Sequence, residues 1–316
     1  MKGLNRQTIG QLSEMFSRRD HARSYGESLE RAHILCCITD SDPDCDRRHA
    51  RFAFRLEEFI ERINIPTVTQ ALDTPIRTFA AWLEACGETI RRYVAQGAVV
   101  FKTTIATDRT LVIGPGSYAA AEENFLQALN APAPFRPTAD YQDFMFRYVL
   151  DQLRIYDLPV QMHTGMAASN NTIIPDSNPL LLSPLFEDYP DLDFVMMHMG
   201  YPYYLELSAM AKTFPKVYPD LSWAHMISPC GARLALSEWL DAVPGTKIFA
   251  FGGDCGHEDS ILAHLHMAKD NVCRVLAQKV AEGSFDMDCA KWLATRMFRD
   301  NPYQVFRLER AGVPLR

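Results

Sequence analysis

The 316-residue sequence predicts an α/β fold in which parallel strands form a barrel or sheet and carry the chemistry at their carboxyl ends. Three observations point there. Four apolar runs end in a side chain that can bind metal or move a proton: Ala98-Val-Val-Phe-Lys102, Leu158-Pro-Val-Gln-Met-His163, Asp193-Phe-Val-Met-Met-His198 and Lys247-Ile-Phe-Ala-Phe-Gly-Gly-Asp254. Stretches with helical apolar spacing lie between them, which is the rhythm of βαβ units. From Leu158 onward the strands are about 25–35 residues apart, close to the roughly 31 expected when about 250 residues are shared among the eight units of a (β/α)8 TIM-type barrel.

Residues 1–30 are polar and charged and read as an N-terminal extension. Thr8–Phe16 gives a short amphipathic helix, and Arg18-Arg-Asp-His21 a solvated break. His33–Thr39 is the first convincing buried strand, and Asp40-Ser-Asp-Pro-Asp44 a turn whose side chains bond their own backbone. The next strand is Arg51–Phe54 or Pro66–Ala71, which pattern alone leaves open; between them Leu56, Phe59, Ile60 and Ile63 fall at helical spacing. Asp73-Thr-Pro75 opens a helix striped by Phe79, Trp82, Leu83, Cys86, Ile90 and Val94 and ended by Gly97. After the Lys102 strand, residues 103–139 form a long insertion with a short helix near Ala119–Leu129, expected to serve as a lid or pocket wall. Tyr141, Phe144, Met145, Tyr148, Val149 and Leu153 stripe the helix that leads into the His163 strand. Tyr203–Phe214 is helical, Lys216–Trp223 a strand made irregular by Pro219, Pro229–Val243 a helix, Lys247–Phe251 the last strand, and Asp259–Glu282 and Asp286–Arg299 closing helices.

Composition narrows the function classes. Apolar residues make up 47%, aromatic 11% and charged 22%, enough to bury a large core, and the barrel reading takes residues 1–316 as one domain. The net charge of −7 comes without a basic block, so a small-molecule substrate is expected and a nucleic acid or anionic membrane is not; a homo-oligomer is left open. The cysteines, at 36, 37, 45, 86, 230, 255, 273 and 289, show no Cys-x-x-Cys spacing, and Met1–Gln7 lacks an apolar signal region. No run approaches the roughly 18 apolar residues of a membrane helix. These features predict reduced thiols and a cytoplasmic chain.

Gln161-Met-His163-Thr-Gly165, His198-Met-Gly-Tyr-Pro202, Val217-Tyr-Pro-Asp-Leu-Ser222, Gly252-Gly-Asp254 and Asn301-Pro-Tyr-Gln-Val-Phe-Arg-Leu308, in this order, resemble the metal-dependent amidohydrolase superfamily, in its amidohydrolase-related branch. Within that branch they look like the amidohydrolase-like domain fused to glutamine-synthetase-type proteins. The resemblance spans about residues 98–308 and implies a (β/α)8 barrel. It also implies a metal held by a His-x-His pair on the first strand, a Lys or Glu on the fourth, histidines on the fifth and sixth and an aspartate on the eighth. His33–Thr39 then counts as the second strand, Lys102 falls on the fourth, and His163, His198 and Asp254 on the fifth, sixth and eighth. The sequence departs from the pattern in having no His-x-His strand: the one such spacing, His264-Leu-His266, lies in a helix, where residues two apart face different ways. The expectation is a barrel whose first strand is missing from this chain, with open edges and a weakened or absent metal.

The candidate metal ligands are His163, His198 and Asp254, since neutral imidazoles and carboxylates suit zinc or manganese and an open site brings the pKa of water toward about 7. Asp254 would take the proton. Lys102 is either a bystander ammonium or, if carbamylated, a bridging ligand. Tyr201, Tyr203, Trp223 and His225 are candidate pocket walls. The leading function is hydrolysis of a C–N or ester bond in a small carboxylate-bearing substrate. The alternatives are a decarboxylase on the same scaffold and a truncated, non-catalytic barrel.

Overall fold

Six short apolar runs form, in the computed structural model, parallel strands hydrogen-bonded in sequence order: β1 (Cys37–Asp40), β2 (Ala50–Phe54), β3 (Ala98–Thr103), β4 (Val160–Met162), β5 (Phe194–Met196) and β6 (Val217–Pro219). The structure describes residues 5–18, 21–168 and 173–315. The parallel α/β arrangement read from the sequence is thus the one that forms. Lys247–Phe251, expected as a strand, joins the edge of β6 through a single parallel bridge between Asp220 and Phe249. Pro219 contributes a carbonyl to Phe249 N–H at 3.0 Å but has no N–H of its own, so the ladder is thin there. Among the described residues no strand precedes Cys37, and β1 and the Phe249 segment do not pair.

The helices are α1 (Arg6–Ser17), α2 (His21–Ala32), α3 (Glu57–Ile60), α4 (Ile65–Leu72), α5 (Phe79–Ala95), α6 (Tyr118–Ala128), α7 (Ala139–Tyr156), α8 (Ser183–Asp188), α9 (Tyr204–Thr213), α10 (Ala224–Ile227), α11 (Pro229–Ala242), α12 (Glu258–Ala281), α13 (Met287–Thr295) and α14 (Asn301–Val305). Three differ from expectation. α2 is an amphipathic helix with Ser24, Ser28, Leu29 and Ala32 buried, packed on α12, where a solvated extension was predicted; Arg19 and Asp20 of the expected break lie outside the described residues. Pro66–Ala71 belongs to α4, so Arg51–Phe54 is the strand. Asp73 does not open the next helix but ends α4 in the left-handed region, φ 53, and Thr78 caps α5 through the Ala81 N–H.

Alternation along the strands sorts side chains into two sets. Phe52, Phe54, Phe101, Val160, Met162, Phe194, Met196, Val217 and Ile248 share one cluster with helix residues such as Trp82, Phe146, Leu207 and Trp239. Ala53, Val100, Val195 and Phe249 face the other way and meet Val305, Phe306, Leu308 and Val313. The C-terminal segment therefore plugs the amino ends of the strands. Phe306 meets Phe249 edge-on at 5.6 Å, and buried Asp193, just before β5, accepts from Arg307 Nη2 at 2.6 Å, Tyr218 Oη at 2.9 Å and Lys216 Nζ at 3.0 Å. Continuing the inward alternation past the carboxyl ends brings Asp40, Arg55, Lys102, His163 and Asp220 to the opposite mouth.

The long insertion after β3 packs onto the rest of the chain. Ile105, Ala106, Leu111 and Ile113 are buried, and Arg109 ties the loop to α7 through Asp143 Oδ1 at 2.8 Å and Ala139 O at 2.9 Å. Among the described residues no helix is long and apolar enough to cross a membrane.

If Arg307 holds the plug, Arg307→Ala should lower unfolding stability by about 1.5–3 kcal/mol, the worth of a hydrogen bond to a charged group. Lys216 and Tyr218 would stay on Asp193. Equilibrium urea unfolding measures it, and a loss below about 0.5 kcal/mol, the range of ordinary surface substitutions, would show that the apolar contacts of Phe306 and Leu308 suffice.

Candidate active site

Backbone bonds beyond the strand ends set the site. His163 N–H donates to Thr103 O at 3.1 Å and Met197 N–H to Met162 O at 3.0 Å, so the ladder runs on past β4 and β5. Gly165, φ 70, then lets the chain pass the Gly200–Tyr201 backbone: a Cβ there would lie 2.3 Å from Tyr201 O. His198 sits in a 3-10 turn at φ 64, followed by Met199 at φ 50; Trp223 at φ 59 and Asp254 at φ 41 adopt the same left-handed conformation. Such backbone strain in non-glycine residues gathers at functional sites.

The rings of His163 and His198 are 4.6 Å apart between centroids, and Trp223 stands edge-on to His198 at 5.6 Å. The Ser222 carbonyl, which can only accept, lies 3.0 Å from His198 Nδ1, so Nδ1 carries the proton and Nε2 presents its lone pair. That Nε2 is 3.8 Å from Asp254 Oδ2, beyond hydrogen-bond reach. His163 Nε2 is buried without a hydrogen-bond partner. Ser222 N–H in turn donates to Asp220 Oδ1 at 2.7 Å, which anchors the residue whose carbonyl orients His198.

Burial dominates the electrostatics. It pushes His163 down to about 3, with His198 and Lys102 adding to the shift, and His198 down to about 4; both rings are neutral near pH 7. Burial also pushes Asp220 up to about 7. Lys102 Nζ pairs with Asp40 Oδ2 at 3.1 Å. Asp40 also accepts from Arg55 Nε at 2.8 Å, and Arg55 Nη1 reaches Glu57 Oε1 at 3.0 Å and Thr104 Oγ1 at 3.2 Å. For Asp40 burial opposes the charge, but hydrogen bonds from Arg55 and the Lys102 ammonium outweigh it and hold the carboxyl below its usual range. Beside Lys102 the surface is lined by Glu57, Ile60, Glu61 and Thr103 among others, with no enclosed space large enough for a water molecule. Burial, with Glu57 and Asp108 nearby, pushes Glu61 up to about 8.

The mouth thus brings together His163, His198, Asp254, Lys102 and Trp223. His225 is turned away: its Nε2 donates to Ala250 O at 2.9 Å, its Nδ1 lies 3.1 Å from Asn271 Nδ2, and it is buried against α12, so it serves as a hydrogen-bonded core residue and not a pocket wall. Tyr201 is half-buried against the core, and its carbonyl accepts from Met166 N–H at 2.8 Å. Sequence reasoning missed Asp40, which looked like a turn residue, and Arg55, Asp220 and Ser222; extending the alternation of each strand past its end would have found Arg55 and Asp220. The chemistry of the two Nε2 lone pairs fits a divalent cation. Among the described residues, however, no three His, Cys, Asp or Glu side chains converge closely enough to hold one, since Asp254 stands beside the imidazole pair and does not join it.

The sequence matches the model of the amidohydrolase family over residues 68–308. It is 28% identical over 229 residues to protein fluG of Emericella nidulans, an alignment covering 68% of this chain and 26% of that protein; the chain spans about a quarter of that relative's length. Among solved structures, a protein assigned as a metal-dependent hydrolase from Lactobacillus casei superposes with a TM-score of 0.77 at 20% identity, over 92% of this chain and 78% of the other. A uronate isomerase from Thermotoga maritima superposes with a TM-score of 0.73 at 15% identity, over 89% and 69%. At these identities the likeness concerns the fold.

The lowered imidazole values predict that at pH 5.5 the ring nitrogens of His163 and His198 still show neutral shifts in 15N NMR, whereas a free imidazole, with its pKa near 6.5, is mostly protonated. Because the folded values lie below the unfolded one, the unfolded chain binds the extra protons. The stability lost to these two rings therefore grows as pH falls from about 6.5 toward about 4, while Asp220, shifted upward, acts in the opposite sense. Protonation of either ring at pH 6 would contradict the burial account.

Proposed function

The chain belongs to the amidohydrolase family, and from that premise we propose that it is a metal-dependent hydrolase cleaving a C–N or ester bond of a small, carboxylate-bearing substrate. The observation that carries this reading is His163 Nε2, buried and unpaired beside the lone-pair side of His198. A buried polar atom without a partner costs about 1–3 kcal/mol, and one kept beside the left-handed turn at His198 suits a bound group that would satisfy it. On this reading His163 and His198 would supply two ligands to zinc or manganese, and Asp254, which stands 3.8 Å from His198 Nε2, would have to move toward the pair to supply a third. Bound there, the ion would polarise the scissile carbonyl and bring the pKa of water toward about 7.

The other steps fall to the chain's own residues. Asp254, with a side chain 41% exposed and therefore open to the mouth, would accept the proton of the attacking water and return it to the leaving group. Ser222 would keep His198 in the tautomer whose Nε2 faces inward. Lys102 would act as an ammonium drawing the substrate carboxylate. Its pairing with Asp40 supports that form, because a carbamate would set two anions side by side. Trp223 and Tyr201 would wall the substrate.

The test is turnover by the chelator-treated chain, with and without added zinc or manganese, against a panel of amides, lactones, esters and uronates. Hydrolysis that needs the metal and falls about 10²–10⁴-fold in Asp254→Asn is expected. Release of carbon dioxide without hydrolysis would move the reading to a decarboxylase, and turnover indifferent both to chelator and to Asp254→Asn would sink it.

A further inference from the structure

The pair His264-Leu-His266 is absent from the mouth, yet its first member reaches toward it. α12 turns the two rings to different sides: His266 is exposed, whereas His264 Nδ1 lies 2.6 Å from the carbonyl oxygen of Gly253. A carbonyl only accepts, so Nδ1 carries the proton and donates. Gly253 immediately precedes Asp254, whose left-handed backbone persists only where the surroundings over-determine it. Trp223 N–H also donates to this loop, 2.9 Å from Gly252 O. Gly252 itself admits no side chain, since a Cβ would lie 2.6 Å from Ser222 Cβ. One side of the loop is therefore fixed by the backbone of the site, and on the helix side the His264 imidazole holds it.

We infer that His264 is the positioning residue of Asp254, holding the Gly253 carbonyl so that the carboxylate stays beside His198 Nε2 at the observed 3.8 Å. The inference rests on the reading of Asp254 as the proton acceptor. His264 acts through the Gly253 peptide alone. α12 gives it a stiff mount: Ile261, Leu265, Ala268 and Val272 are buried, and the helix packs on α2, α10 and α11.

The experiment compares His264→Leu, which removes the donor, with His264→Asn, whose amide nitrogen takes the place of Nδ1, in the full chain. Amide order parameters of Gly253 and Asp254 should be about 0.85 in the wild type, fall below about 0.6 in the leucine variant and recover in the asparagine variant. On any substrate the wild type turns over, kcat should fall about 10–100-fold in His264→Leu, with KM changed by less than about twofold. Unchanged order parameters in His264→Leu overturn the inference. So does equal loosening in both variants, which would make packing and not the donated hydrogen bond the hold. A wild type inert against the whole panel defeats the hydrolase reading, and the relaxation comparison still decides the role of His264.

Discussion

The imidazole side of the mouth depends on the parallel ladder continuing beyond β4, β5 and β6. His163 N–H on Thr103 O, Met197 N–H on Met162 O and Met199 N–H on Asp220 O tie neighbouring strand ends together after the regular pairing stops. Parallel strands advance in the same sense, so each extension delivers its next polar side chain to one end. Two rings from segments far apart in sequence thereby come within 4.6 Å. The opposite end is sealed by Phe306 and Leu308, which leaves the carboxyl ends as the free mouth.

Burial then separates the polar groups by their partners. Asp40 keeps its charge because Arg55 and Lys102 both donate to it. His163 and His198, with no carboxylate in hydrogen-bond contact, lie in surroundings that favour the neutral form. The result is a mouth with an ion-paired side, Lys102 and Arg55 against Asp40 and Glu57, and an uncharged side at the imidazoles.

Much of this was legible in the sequence. The runs ending in Lys102, His163, His198 and Asp254 announced themselves because buried parallel strands are nearly continuous apolar segments, and a polar residue closing one stands out. Asp40 did not, because an aspartate in a Ser-Asp-Pro-Asp turn has a sufficient local explanation. His225 and His264 were misjudged or set aside for a related reason: helix periodicity says which face a residue occupies but not what lies opposite. His225 meets Ala250 and Asn271, while His264 meets the one carbonyl next to Asp254.

By itself, then, the sequence determined the parallel α/β class, the alternation of strands and helices from the Lys102 run onward and the polar residues that close those runs, since these follow from local periodicity and composition. The tertiary structure alone decided that Pro66–Ala71 is helix, that the long insertion is pinned through Arg109 and Asp143, and that Lys102 pairs with Asp40. It also decided that Asp254 stands 3.8 Å from His198 Nε2 without joining the imidazole pair. These depend on contacts between segments remote in sequence, whose distances come from packing and register and are written in no single stretch of the chain.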